Sequence, residues 1–99
     1  MIAATKPQPI FRFRLFVSGE TQNSISAIVN LTKICETHAA NRYEIEVVDV
    51  LRDPKRALSE NILMTPTLVR LLPRPLRKIV GTLSQTETIL LTLGLGAAA

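Results

Sequence analysis

Between Phe11 and Val50 the hydrophobic period changes twice, and this restricts the chain more than any other feature. Phe11-Arg12-Phe13-Arg14-Leu15 alternates apolar and charged residues, then stays apolar to Val17. A period of two marks a strand, and losing the polar face at its end marks a central one. Ser18 to Ser24 is a turn and helix start. Gly19 tolerates unusual backbone angles, and Thr21, Asn23 and Ser24 are the N-cap candidates. From Ser24 to about Ala40 the apolar residues fit a helix, with Ile28, Leu31 and Cys35 on one stripe and Ile25, Val29 and Ala39 beside it. Asn41-Arg42 ends it. Tyr43 to Val50 alternates again and is rich in β-branched residues, a second strand. Strand, helix and strand then form a βαβ unit with parallel strands and a right-handed crossover.

The remaining chain supplies four shorter elements. Asp53-Pro54 opens a short helix over residues 54–60, with an acid at the N-cap and proline at the first helical position. Ile62 to Leu72 is apolar around Thr65-Pro66-Thr67, and Pro66, lacking an N–H, belongs at a strand start or edge. The Thr65–Pro66 bond is open to either isomer. Pro73 and Pro75 break the chain, and Leu76 to Gly81 reads as a short strand. Ser84-Gln85-Thr86-Glu87 has the spacing of a capping box, with Ile89, Leu90 and Leu93 following at helical intervals. On this reading the Ser84 hydroxyl contributes about 1 kcal/mol as a cap. Gly94, taken as helical, costs about 1 kcal/mol relative to alanine. Ile89, Leu91, Leu93 and Leu95 also alternate, so a strand competes with the helix there. The order β-α-β-α-β-β-α is that of a thioredoxin-like α/β fold: a flexible leader at 1–10, the domain at 11–95 and a short tail at 96–99.

Little in the chain points to catalysis. Cys35 stands mid-helix on the apolar stripe, unlike a reactive thiol at an electropositive helix start. The turn before the first helix, where a thioredoxin-type oxidoreductase keeps its thiol pair, holds no cysteine. His38 follows Cys35 without an orienting group. Glu44 and Glu46 share a strand face with no third acid or histidine beside them. No metal or cofactor set is legible. Arg70, Arg74, Arg77 and Lys78 gather around Pro73 and Pro75 and form the candidate basic surface for an acidic partner or for phosphates. A net charge of +4, spread along the chain, and four aromatic rings give no nucleic-acid platform. No apolar run approaches a membrane span and no signal peptide opens the chain, so the expected location is the cytoplasm.

The order and spacing of several segments resemble the KaiB circadian-clock family. They are Leu15 to Ser24, Val48-Asp49-Val50 with Asp53-Pro54, Ile62 to Leu68, and Leu72 to Gly81 followed by Leu83-Ser84. The resemblance implies a non-enzymatic adaptor that binds the N-terminal ATPase ring of a KaiC-type hexamer and modulates its phosphorylation cycle. KaiA or a clock histidine kinase would be reached only indirectly. It implies two folds: the thioredoxin-like state that binds the partner, and a tetrameric ground state of order β-α-β-β-α-α-β. Partner contacts fall on the first helix, on Glu44 and Glu46, and around Asn61. Gly19, Asn23, Pro54, Pro66, Pro73, Pro75, Gly81, Ser84 and Glu87 are the fold-determining positions. The chain departs from the clock pattern at Asn61, usually lysine, at Thr92, commonly glycine, and in lacking an acidic tail. These departures weigh against KaiA sequestration more than against KaiC binding. They fit a diverged paralogue, in a clock or as a thioredoxin-like interaction or stress-response module.

Overall fold

The computed structural model describes residues 10–95, so the leader and tail lie, Ile10 apart, outside the described residues. Seven elements follow in order: β1 (Phe11–Val17), α1 (Gln22–His38), β2 (Tyr43–Asp49), α2 (Pro54–Ser59), β3 (Thr67–Leu72), β4 (Arg77–Val80) and α3 (Thr86–Leu93). They form one sheet of order β2-β1-β3-β4. β2 runs parallel to β1, whereas β3 is antiparallel to both β1 and β4. β1 is thus central, as its apolar end requires.

The alternation of β1 divides the molecule into two faces. Phe11, Phe13, Leu15 and Val17 point to one side and pack with Leu68, with Ala27, Leu31, Ile34 and Cys35 of α1, and with Ile89 and Leu93 of α3. Phe16 points the other way and packs with Val48, Val69, Ala57 of α2 and Ile62. The buried line of α1 is Ser24, Ala27, Leu31, Ile34 and Cys35. The expected flanks Ile25 and Val29 stand 43% and 45% exposed instead. The small side chains of Ser24 and Ala27 let α1 sit close to the sheet. Ser24 bears burial because its hydroxyl accepts from the Ser18 N–H (3.0 Å) and the Thr21 hydroxyl (2.8 Å). Thr21 is the N-cap, accepting from the Ser24 N–H, and Asn23 lies exposed in the first turn.

Gly19 takes φ +55°, and Gly81 takes φ +120° while its N–H donates to the Pro66 carbonyl at 2.9 Å. Pro54 opens α2, although Asp53 before it makes no capping bond. Pro66 directly precedes β3, and the peptide bonds before Pro66, Pro73 and Pro75 are cis. Two expectations fail at α3. Its N-cap is Gln85, with no side-chain cap, so Ser84 and Glu87 form no capping box. Leu83 enters the core at φ +64°, and Ser84 beside it faces solvent. Gly94 is not inside the helix but caps its C-terminus in the left-handed region at φ +74°. Ile89 and Leu93 are buried while Leu91 is 79% exposed, the helical solution to the ambiguous alternation.

Candidate partner-binding surface

The parallel pairing of β1 with β2 sets Arg12 opposite Glu44 and Arg14 opposite Glu46. Arg12 Nε donates to Glu44 at 3.0 Å, an exposed pair at the free end of the sheet. Glu46 is held more tightly. It accepts from Arg14 Nε and Arg56 Nη1, both at 2.8 Å. Arg14 Nη1 also reaches Glu60 at 2.9 Å, and Lys78 Nζ donates to the Glu60 carbonyl. These bonds tie β1, β2, β4 and the C-terminal end of α2 together. Hydrogen bonds from Arg56, then Arg14, hold the Glu46 carboxyl down at about 2. Glu46 is therefore a structural acid as placed, and Glu44 is the freer of the two. Arg56 and Glu60 escaped the sequence reading because their partners lie on other strands.

The expected basic cluster divides. Arg74, Arg77 and Lys78 are exposed, but Arg70 is only 6% exposed. This removes Arg70 from the surface. Alternation on β3 points Arg70, like Leu68, at the face that α3 covers. Its Nη1 donates to the Leu93 carbonyl and its Nη2 to the Pro75 carbonyl, both at 2.8 Å. Its Nε is buried without a partner. Burial, and then the neighbouring charge of Arg77, lower its pKa. Arg70 is a clasp between β3, the proline loop and the end of α3. Asn61 is exposed at φ +57°, just past α2.

The turn before α1 and the loop before β3 meet at a hydroxyl pair, with Ser18 Oγ 2.5 Å from Thr65 Oγ1. Asp49 steadies this end by accepting from the N–H groups of Gly19 (3.0 Å) and Leu51 (2.9 Å), which lower its pKa in that order. Cys35 lies away from it, fully buried, and burial pushes its thiol up to about 12. A thiol so placed supplies almost no thiolate at neutral pH. Among the described residues, no His, Cys, Asp and Glu group is arranged to hold a metal ion. None of the described helices is long and apolar enough to cross a membrane.

A KaiB domain model matches residues 14–95. The chain belongs to the KaiB family. It is 44% identical over 80 residues to circadian clock protein KaiB3 of Synechocystis sp., covering 81% of this chain and 78% of that one. It is 42% identical over 89 residues to circadian clock oscillator protein KaiB of Synechococcus sp., covering 90% and 81%. Among solved structures, the N-terminal domain of Synechococcus elongatus SasA superposes with a TM-score of 0.71 at 16% identity, over 100% of this chain and 97% of that one. Chloroplastic thioredoxin z superposes with a TM-score of 0.69 at 18% identity, over 88% and 80%. The fold is thioredoxin-like, and the KaiB-family match spans the turn, the hydroxyl pair, α2 and the proline loop.

Proposed function

We propose that this KaiB-family chain is a non-enzymatic clock or signalling adaptor in the cytoplasm. It binds the N-terminal ATPase ring of a KaiC-type hexamer and modulates the phosphorylation cycle of that hexamer. The family match over residues 14–95 carries the reading. The superposition with the SasA N-terminal domain supports the thioredoxin-like fold as the state in which this happens. The surface proposed for the partner combines the exposed Ile25 and Val29 of α1, Val47 and Glu44 on the edge strand β2, and Asn61. A cleft of about 640 Å³ opens beside Val47, lined also by Ile28 of α1, Asp49, Arg52 and Arg56 of α2. The exposed Arg74 and Arg77, at the opposite edge of the sheet, offer a separate contact for acidic groups. A tetrameric ground state with a rearranged second half belongs to the same proposal.

Gel filtration of the chain with its cognate KaiC-type ATPase tests this. Co-elution is expected, and Glu44→Lys is expected to weaken it with the melting temperature unchanged. Glu46→Lys is the poorer probe, since it also breaks the tether of α2. Separate elution at concentrations well above those of the cell would sink the proposal. A second reading, a thioredoxin-like interaction module acting without KaiA, is favoured by Asn61, where the clock pattern usually has lysine. Unaltered binding to the ATPase in the presence and absence of KaiA, with no capture of KaiA, is its signature.

A further inference from the structure

The net charge of the chain is concentrated in one place. Residues 61–86 hold four cations, Arg70, Arg74, Arg77 and Lys78, and no acid, whereas the other eight lysines and arginines are matched by eight aspartates and glutamates. The whole surplus of +4 therefore belongs to β3, β4 and the proline loop between them. The fold does not neutralise it. Arg74, Arg77 and Lys78 make no ion pair among the described residues. Lys78 reaches Glu60 only at the carbonyl, and the Glu60 carboxylate is held by Arg14. Arg70, opposite Arg77 in the strand register, spends its bonds on two neutral carbonyls.

β4 is also an outer strand of the sheet, with no strand among the described residues beside its free edge. The outward N–H and C=O groups of such an edge are a template for one more strand. Its side chains alternate: Arg77 and Ile79 point to the face that α3 covers, Lys78 and Val80 to the α2 face. The two cations thus flank the start of β4, one on each face, with Arg74 in the loop before them. The other end of β4 is apolar. Val80 is 55% exposed, and a cavity of about 310 Å³ with no charged residue in its lining opens between Ile79, Gly81 and the first turn of α3. Charge on an edge strand also keeps other chains away, but either sign serves that purpose, and it does not call for the entire surplus on one edge.

We infer that the free edge of β4 takes up an extended segment of a partner protein as an added strand, with two adjacent acidic residues opposite Arg77 and Lys78 and two apolar residues opposite Ile79 and Val80. Nucleic acid fits this edge poorly, because no aromatic ring stands there to stack a base: Phe11, Phe13 and Phe16 are buried, and Tyr43 lies on β2 at the opposite edge. A flat anionic membrane meets one face of the edge and not the cations of both. Backbone pairing along β4 is open to a polypeptide. The inference deepens the adaptor reading and rests on it for the identity of the partner.

The test titrates the full chain with two capped peptides, one carrying Glu-Glu-Val-Val and one Val-Val-Glu-Glu between threonines, so that both strand directions are covered, while amide NMR shifts are followed. Saturable shifts at Arg77, Lys78, Ile79 and Val80 are expected for one of them. Gln-Gln in place of Glu-Glu, or Arg77→Gln with Lys78→Gln in the chain, should weaken binding about tenfold at low salt and less at high salt. Both substituted side chains are exposed, so the melting temperature should hold. N-methylation of alternate peptide amides should abolish binding in one phase and spare it in the other, since half of the N–H groups of an edge strand point at its neighbour. No shifts, shifts away from β4, indifference to the charge changes, tolerance of both methylation phases, or equal shifts from a uridine oligonucleotide or phosphatidylserine vesicles would overturn the added strand. Gel filtration with the cognate KaiC-type ATPase separates the two readings. Peptide binding at β4 without co-elution of the ATPase removes the adaptor reading and keeps the added strand. Co-elution with no peptide shifts removes the added strand and keeps the adaptor reading.

Discussion

The two faces of the sheet are held by different physics. One is closed by α1 and α3 over Phe11, Phe13, Leu15 and Val17, and its interior is apolar apart from Ser24 and the Arg70 clasp. The other has the six-residue α2, a small apolar cluster around Phe16, and a lattice of arginine and glutamate contacts. Apolar burial is proportional to area and is not screened by salt, whereas exposed ion pairs are weak and screened. The first face therefore carries most of the stability. The second is the softer one, and it carries the exposed Leu58, Leu63 and Met64.

Truncation in the closed face should show the largest effect. Leu31→Ala removes a fully buried side chain and is expected to cost about 2–5 kcal/mol in urea unfolding. A loss under 1 kcal/mol, within reach of a surface change, would break the contrast between faces. Arg70→Met comes next. It leaves the Leu93 and Pro75 carbonyls without their donors, a penalty of about 1–3 kcal/mol, offset in part by removing a buried charge. Hydrogen exchange should quicken in α3 before α1; uniform quickening would mean that Arg70 is not a local clasp.

Smaller effects separate α3 from its expected caps. Gly94→Ala forces a side chain into left-handed backbone and is expected to cost about 1–2 kcal/mol, the reverse of the gain expected for a helix interior. Ser84→Ala should stay within about 0.5 kcal/mol. Thermal melts of the pair decide the matter, and a larger loss for Ser84→Ala would restore the capping box.

The charged face should respond least, and to pH. The Glu46 carboxyl is depressed to about 2 in the folded chain, from an ordinary value of 4.5. Its contribution is therefore present above the unfolded value and is lost as pH falls through that interval. With the side chain 46% exposed, solvent screening limits the contribution to under about 1 kcal/mol. Glu46→Gln should lower stability by that amount at neutral pH, with the difference from the parent chain vanishing near pH 2. A difference that persists there would remove the ion pairs as its cause.

Much of this was legible from spacing alone. The periods of β1, α1 and β2 are local properties, since alternation and the helical stripe follow from side-chain geometry along one element. The turn at Gly19 and the opening proline of α2 are local for the same reason. The mid-helix cysteine was legible as buried because an apolar stripe needs no partner to be recognised. The phase of that stripe was not. Whether Ile25 or Ala27 faces the sheet depends on how closely the helix can approach it, and Ser24 settles this only through its bonds to Ser18 and Thr21.

The sequence by itself determined the kinds and order of the elements, the absence of a thiol pair before the first helix, and the family likeness. Tertiary structure decided the roles of the charged residues. Arg70 and Arg77 look alike along the chain, yet one is a buried clasp and the other solvent-facing, because α3 closes over the first. Glu44 and Glu46 share a strand face, yet only Glu46 lies where Arg14 and Arg56 converge. The cap of α3 moved because burial of Leu83 set the backbone before it. Period is fixed by neighbours in sequence, but burial and ion pairing are fixed by neighbours in space. The ends of α2 and α3 and every long-range arginine contact therefore waited on the packing of the sheet.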